Sequence, residues 1–574
     1  MTKPEMTKSK SILFTFLLVG ILISNHGMAQ CPDQWVQQIS ALPSGNLANN
    51  EPNLVIDKDG NVIVSNAVFN ADTLIAGGQV FPETNSIPSP NTDFFIAKYD
   101  NAGTFLWLKT ILGAANCSPF DMDVDVEGNI YVGGLMTESM TIDGLLIEFP
   151  AFFTTYPGYF ILKFSPSGEL LWHHTATYKS SRCYRLSWNG DNLTFAIPYS
   201  DSVEIGGQVF YSDGEQDILI GQLSSNGSLI DAVNIGGTGN ITANSLECDS
   251  IGCILQGQYD DELVYDGIVL STGSSSINGF YQLAFDPTNS VLWANSSVNS
   301  SSLNARVRGL AFTADNEAFF GGFYWNDSFL LDGNSLPSPE RDDFFIGKLN
   351  RTSGSVSWLK KTNGESWEGL WSMAEYQGNA IVAGEFYSDS VSFDNEYVDN
   401  TNDGENDGIA FSISNDGDLR CALNIAGTGQ NAIQQVDFFN DGHIALLAYV
   451  NGSVDFGNNT YTAQGGYDLL VIKTCLSCDS ITGVDEIDKS TISSLTISPN
   501  PVNDNLDVLF ETNTNGRLSI QITDTYGRVL RSLNVPDRIG QTSLNLTDLS
   551  SGVYFCTLLR DDNILATKKL MRQK

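Results

Sequence analysis

The chain has 574 residues, 42% hydrophobic and 11% aromatic, with 53 glycines and a formal charge of −38 at pH 7. That much apolar material can fill a large core and excludes wholesale disorder. The 67 acidic side chains against 29 basic ones exclude general binding to nucleic acid or to an anionic membrane, because such a surface repels phosphate.

In chain order, Lys3, Lys8 and Lys10 precede a nearly all-apolar run from Ile12 to Ser24, and a small-residue site, Gly27-Met28-Ala29, follows. A basic start, a short apolar stretch and a small-x-small site predict a secretory signal peptide over residues 1–29. The run is short for a membrane span, and no later stretch reaches ~18 apolar residues. Gln30 before Cys31 argues against a lipid anchor. Export makes disulfides available to the cysteines. Cys248 and Cys253 flank the tight segment Asp-Ser-Ile-Gly and could staple a hairpin. No Cys-His zinc pattern is present.

One apolar block recurs seven times: DFFIAKYD from Asp93, GYFILKFS from Gly158, DILIGQLS from Asp217, GFYQLAFD from Gly279, DFFIGKLN from Asp343, DGIAFSIS from Asp407 and DLLVIKTC from Asp468. The intervals are 65, 59, 62, 64, 64 and 61 residues. A turn dipeptide keeps step with it: Gly77-Gly78, Asp143-Gly144, Gly206-Gly207, Asp266-Gly267, Asp332-Gly333, Asp394-Asn395 and Gly457-Asn458. Such pairs supply the positive φ angles of tight hairpins. Each repeat reads as strands. In the second, FDMDVDV (Phe120–Val126) alternates apolar and acidic residues, NIYVGGL follows, then the hairpin, YFILKFS and LLWHHTAT. About four strands per repeat, in series, predict the blades of a β-propeller. The fold class is therefore all-β, a seven-bladed propeller over residues 31–478.

The last strand of a repeat carries Trp107, Trp172, Trp293 or Trp358, with Cys421 at that place in the sixth. The seventh repeat stops at Cys475 without this strand, while an orphan segment, QWVQQISA around Trp35, precedes the first. The N-terminal strand is thus expected to complete the last blade and remove an open sheet edge. Cys31 would then lie near Cys475 and Cys478, where a disulfide could lock the seam. The pattern G-N-x-Y-V-x-G, then D-x-F-I-x-K and L-W, best seen at Gly128–Gly134 and Asp343–Lys348, resembles the SBBP-type propeller repeat. That resemblance covers roughly three quarters of the chain. It implies a propeller used outside the cytoplasm and no particular reaction.

Residues 479–494 lack a periodic apolar pattern and read as a linker. Beyond them LTISPNP, LDVLF, LSIQITD, RVLRSLNV, TSLNLTDL and GVYFCTLL predict a small Ig-like antiparallel sandwich over 495–574. Its charge is near zero, which leaves almost all of the negative charge on the repeats. Pro499-Asn500-Pro501, Asp524 with Gly527-Arg528, Leu549, Gly552-Val553-Tyr554 and Lys568-Lys569 closely resemble the type A C-terminal sorting domain of the type IX secretion system of Bacteroidota. The resemblance implies passage through the periplasm and the outer membrane, with the type IX machinery as a partner, and then anchorage or release.

Catalytic motifs are scarce: HExxH, a P-loop and a Gly-x-Ser-x-Gly elbow are all absent from the sequence. His173-His174 falls in an outer strand, where successive side chains face opposite sides. His443, after Asp441-Gly442, reads as a solvated turn residue. Asp121, Asp123 and Asp125 are expected on one strand face, with Asp57 and Asp59 at the matching place in the first repeat. A glycosidase needs two such acids at a defined separation; strand-face and turn chemistry explains them more simply. The run Asp399–Gly408 is patterned like a calcium loop but lacks the bidentate Glu at its twelfth position, so no cofactor is assigned. Asp-Ser/Thr-aliphatic triplets at Asp72, Asp201, Asp249, Asp389 and Asp479 resemble the O-glycosylation acceptors of exported Bacteroidota proteins. They also match ordinary turn caps. Trp325, Trp367 and Trp371 lie outside the repeating tryptophan position and suit either packing or a sugar-stacking platform. The sequence thus reads as an exported, non-catalytic propeller that binds glycan or protein or serves as a surface scaffold, with no catalytic or metal residue assigned. The rival reading is an exported polysaccharide hydrolase with carboxylates at the propeller mouth.

Overall fold

A computed structural model describes residues 33–47, 52–82, 92–148, 158–177, 185–274, 277–297, 304–325, 327–393, 396–400, 405–457 and 459–476, and then 494–511, 518–524, 528–535, 539–560 and 563–573. The signal segment, Cys31, Cys183, Cys478, Gly527 and most of the linker lie outside them. Every regular element among the described residues is a strand. Two compact bodies divide the chain, one up to Ile481 and one from Thr482.

The first body repeats one antiparallel design seven times. Its inner strands are β1 (Asn53–Ile56), β2 (Cys117–Val124), β3 (Arg185–Trp188), β4 (Ser245–Cys248), β5 (Asn304–Phe312), β6 (Glu368–Tyr376) and β7 (Asn431–Phe438). Outward from β2 the order is Ile130–Met136, Gly158–Phe164 and Leu170–Thr177. The two middle strands are packed on both faces, and Gly158–Phe164 is buried at every position. That is why this block is continuously apolar rather than alternating. Each inner strand packs against the next, β1 on β2 and so on to β7, and β7 packs against β1. The many small sheets are thus set out in a propeller-like arrangement.

Gly77-Gly78, Asp143-Gly144, Gly206-Gly207, Asp266-Gly267 and Asp332-Gly333 close short outer hairpins, while Asp394-Asn395 and Asn458 lie outside the described residues. Asp143-Gly144 and Gly206-Gly207 hold φ of 50° and 82°, and of 59° and 77°, the left-handed pair of a two-residue turn. The N-terminal strand, Trp35–Leu47, serves two repeats. Its first half pairs with Asp468–Thr474 of the seventh, from Trp35 opposite Lys473 to Ile39 opposite Leu469. Its second half pairs with Val62–Ala76 of the first, Ser40 lying opposite Ile75.

The recurring Trp and Gly form the seams between repeats. The indole N–H groups of Trp107, Trp172, Trp293 and Trp358 donate to the carbonyls of Pro166, Ser225, Arg351 and Asn415, in the last turn of the following repeat. Trp35 donates likewise to Asn101 of the first repeat at 3.0 Å. Each ring lies on a turn glycine: Gly168, Gly227, Gly354, Gly417 and Gly103 respectively. These glycines hold φ of 74–86°, and a Cβ on them would sit 2.6–3.4 Å from the indole. Only glycine meets both demands. The third repeat has Asp231 in place of the Trp; the facing turn then has Asn289 in place of Gly, and Asn289 donates to Asp231 at 3.2 Å. At the sixth place Cys421 is disulfide-bonded, as is Cys475, and the Cys421 sulfur lies 3.9 Å from the Leu476 carbonyl.

Lysines of the third strand reach the same turns from inside, Lys98 donating to the Pro166 carbonyl and Lys163 to that of Ser225, and each also pairs with a turn aspartate of its own repeat. Lys98 pairs with Asp57 at 2.8 Å and Lys163 with Asp125 at 3.1 Å, all four side chains being at most 5% exposed. Cys248 and Cys253 are joined across their hairpin, and Cys117 is a buried free thiol.

The second body has a three-stranded sheet (Ser494–Ser498, Asn505–Glu511, Ile539–Asn545) and a four-stranded one (Val529–Val535, Leu518–Asp524, Gly552–Arg560, Asn563–Arg572). Both are antiparallel and share one core around Val508, Ile520, Leu544 and Leu558. Cys556 is buried there as a free thiol.

Candidate functional site

The inner strands enclose a cavity of 390 Å³ to which all seven contribute. Carboxyls from four repeats converge on it: Asp121 and Asp123 of β2, Glu247 of β4, Glu375 of β6 and Asp437 of β7. An inner strand leaves one edge of backbone N–H groups without a strand partner, and the three aspartates serve that edge, while Glu375 accepts from Gly378 N–H in its own turn. Asp121 accepts from Leu186 N–H at 2.8 Å and Asp123 from Trp188 N–H at 2.6 Å, both in the next repeat. Asp437 accepts from Ile56 N–H at 2.9 Å, joining the seventh repeat to the first. The hydroxyls of Ser187 and Ser372 do the same for Cys248 and Val436. The second oxygen of each aspartate accepts the next N–H of its own strand. Burial pushes Asp123 up to about 7 and Asp437 up to about 6, and raises Glu247 well above the usual carboxylate range.

Two expectations are corrected here. Asp125 does not share the face of Asp121 and Asp123. The strand ends at Val124, and Asp125 closes the following turn, accepting from Asn129 N–H at 2.8 Å. Asp57 is its counterpart, with Asn61 N–H at 2.9 Å, while Asp59 is an exposed partner of Lys58. In both turns a lysine ammonium supplies the positive charge. His443 is not solvated: it is 9% exposed and its Nδ1 lies 2.8 Å from Asp441, which also binds Lys473. His174 bonds the Gly227 carbonyl at the next seam. No group of three metal-ligating side chains occurs among the described residues. The calcium-like run falls partly outside them, at residues 401–404.

A second cavity, of 360 Å³, opens beside β5, β6 and β7, on the face where the repeats connect to one another. Trp367, Trp371, Tyr387, Tyr449 and Tyr467 line it, with Arg306, Arg308, Glu385, Asn406 and Asn431. Trp367 lies 6.0 Å from Trp371 and 5.5 Å from Tyr387, centre to centre. Trp325 is set behind them, stacked on Phe323, which meets both other tryptophans edge-on. Trp371 donates its indole N–H to Glu385 at 2.9 Å, and Asn406 donates to the other Glu385 oxygen. Burial pushes the Glu385 carboxyl up to about 7. The sequence flagged the tryptophans because they break the repeat. It gave no sign of Glu385, Asn406 and Asn431, which come together only when β6 and β7 pack side by side.

In the second body the Pro-Asn-Pro segment is tied to the last strand. Asn500 donates to the Lys569 carbonyl and accepts from Met571 N–H, both at 2.8 Å; Pro499 and Pro501 follow cis peptide bonds. Asp524 accepts from Arg528 Nε at 2.7 Å. Tyr554, two residues into the strand opened by Gly552, donates to the Ser550 carbonyl. Lys568 and Lys569 are exposed on the outer strand. Asn500 therefore fastens its segment to the last strand, Asp524 and Tyr554 make local bonds to Arg528 and Ser550, and the two lysines form a basic surface feature.

Residues 496–573 match the family of secretion system C-terminal sorting domains. The chain thus carries a secretion-system sorting domain and is a secreted or surface protein of the type IX route, consistent with transit through the periplasm. Among solved structures it is similar to PorZ, a surface component of the type IX system of Porphyromonas gingivalis, at 12% identity over 93% of this chain and 100% of that one, with a TM-score of 0.17. It is also similar to an N11 neuraminidase-like protein of a flat-faced bat influenza A virus (10%, 62% and 87%, TM-score 0.32) and to the NanB sialidase of Streptococcus pneumoniae (9%, 75% and 70%, TM-score 0.31). Likeness at these levels carries no argument about function. No curated protein matches.

Proposed function

We propose that the mature protein is a closed seven-bladed β-propeller of the SBBP-repeat kind, over residues 31–478, working at the cell surface as a non-catalytic binding or adhesion module. Signal peptide 1–29 and an Ig-like sorting sandwich over 495–574, joined by the linker 479–494, carry it there. The cyclic packing of β1 to β7, and the strand Trp35–Leu47 shared by the seventh and first repeats, support the ring. The observation that carries the binding reading is the use of the cavity carboxylates: Asp121, Asp123 and Asp437 each spend both oxygens on backbone N–H groups. Acids so employed hold repeats together rather than stand ready to protonate a leaving group.

One observation favours the hydrolase reading. Acids from four repeats face one cavity, and burial raises Asp123 and Asp437 toward neutral pH, as in general acids. A turnover screen of the mature protein against a broad polysaccharide panel separates the two. The binding reading expects no products. Turnover that is abolished by Asp123→Asn or Asp437→Asn would establish the hydrolase.

A further inference from the structure

Resting on the reading of the ring as a binding module, we propose that the cavity beside β5, β6 and β7 is a carbohydrate site that takes a pyranose ring of an extracellular glycan. At 360 Å³ it falls within the range of small-ligand pockets, ~300–1,000 Å³. A sugar ring has an apolar C–H face and a rim of hydroxyls, and the cavity wall has the same two characters. Trp367, Trp371 and Tyr387 offer aromatic surface, on which C–H faces stack. The polar part is built from Glu385, Asn406 and Asn431, which are at most 8% exposed.

The polar groups are fixed before any ligand arrives. Asn406 donates to Glu385 and to the Asn431 carbonyl, the latter at 3.0 Å, and Asn431 donates to the Gly429 carbonyl at 3.1 Å. With both amide groups so oriented, the side-chain carbonyl oxygens of Asn406 and Asn431 are buried without a hydrogen-bond partner. A polar lining of this kind, with Arg306 and Arg308 beside it, suits the hydroxyls of a sugar better than an apolar peptide side chain, which would leave it unpaired. Arg306 is exposed at the rim, and the Arg308 guanidinium lies 5.6 Å from the centre of the Trp371 ring. Both can donate to sugar hydroxyls or to the carboxylate of an acidic sugar. Preorganisation of this kind lowers the entropic cost of binding.

The test is an array of neutral and uronate-containing oligosaccharides probed with the full mature protein, followed by calorimetric titration of the oligosaccharides retained. The site predicts retention of one saccharide class, and about tenfold weaker binding for both Trp367→Ala and Arg306→Ala. Arg306 is exposed, so its replacement reports on binding even where loss of Trp367 unsettles the fold. Absence of any retained saccharide, or capture of peptides instead, overturns the proposal. Saccharide binding that ignores both substitutions also overturns it, while leaving the ring a binding module. Hydrolysis of a retained saccharide, with affinity still sensitive to both substitutions, supports the site and removes the non-catalytic reading.

Discussion

Trp172 and the glycine beneath it, Gly227, stand in different repeats, 55 positions apart in the sequence. Glycine is needed there for two separate reasons, a φ of 86° and an indole 3.0 Å from where a Cβ would be. At one seam with neither residue, Asp231 faces Asn289, and there the two have changed together. Gly354→Ala, facing Trp293 at 2.6 Å, is therefore expected to cost about 2 kcal/mol or more in denaturant unfolding. Asn289→Gly, where no indole presses, should change stability by less than about 1 kcal/mol. Buried acids make a second prediction. Burial raises Asp123, Glu368 and Glu385 to about 7 and Asp437 to about 6. Such groups stay protonated in the fold where the unfolded chain has already ionised, so their contribution is full below about pH 4 and is lost progressively as pH rises from there to 6 or 7. Asp57 and Asp125 act oppositely: burial would raise them, but bonds from asparagine and lysine outweigh it and hold them below the ordinary value. Their contribution is lost only below about pH 4. The melting temperature should thus fall from pH 5 to pH 7, and Asp437→Asn should flatten that slope. A melting temperature that rises over this interval would refute the assignment.

Strands and turns were the most legible elements in the sequence. The block buried on both faces reads as continuous apolar residues because no side of it meets water, and each hairpin is announced by a dipeptide able to hold positive φ. The orphan Trp35 announced a displaced strand for the same reason: its neighbours follow the pattern of an outer strand. What the sequence left hidden lies between elements. Asp125 looks like a third member of an alternating face, but the strand ends one residue earlier, at Val124, and only the positions of Asn129 and Lys163 reveal its role. The pocket polar groups Glu385, Asn406 and Asn431 sit on three separate segments, and no local period links them. His443 reads as a solvated turn residue by its neighbours, yet it is buried and bonded to Asp441.

Across the whole molecule the charge is unevenly shared. Residues 31–478 carry 16 lysines and arginines against 54 aspartates and glutamates, whereas 490–574 carry 9 against 8. The acidic part is the cargo and the near-neutral part is its address. Deletion of 495–574 should leave the first body folded and held in the periplasm, as read by cell fractionation; normal surface display of the truncated chain would contradict the sorting role. The claim on which the rest depends is that the seven repeats form one ring closed by the N-terminal strand. Hydrogen exchange of peptides covering 35–39 and 468–474 tests it most directly, in the mature chain and in a chain lacking residues 31–42. Closure predicts strong protection of both segments in the mature chain, and loss of protection at 468–474 in the shortened one. Unchanged protection of 468–474 after the deletion would contradict it.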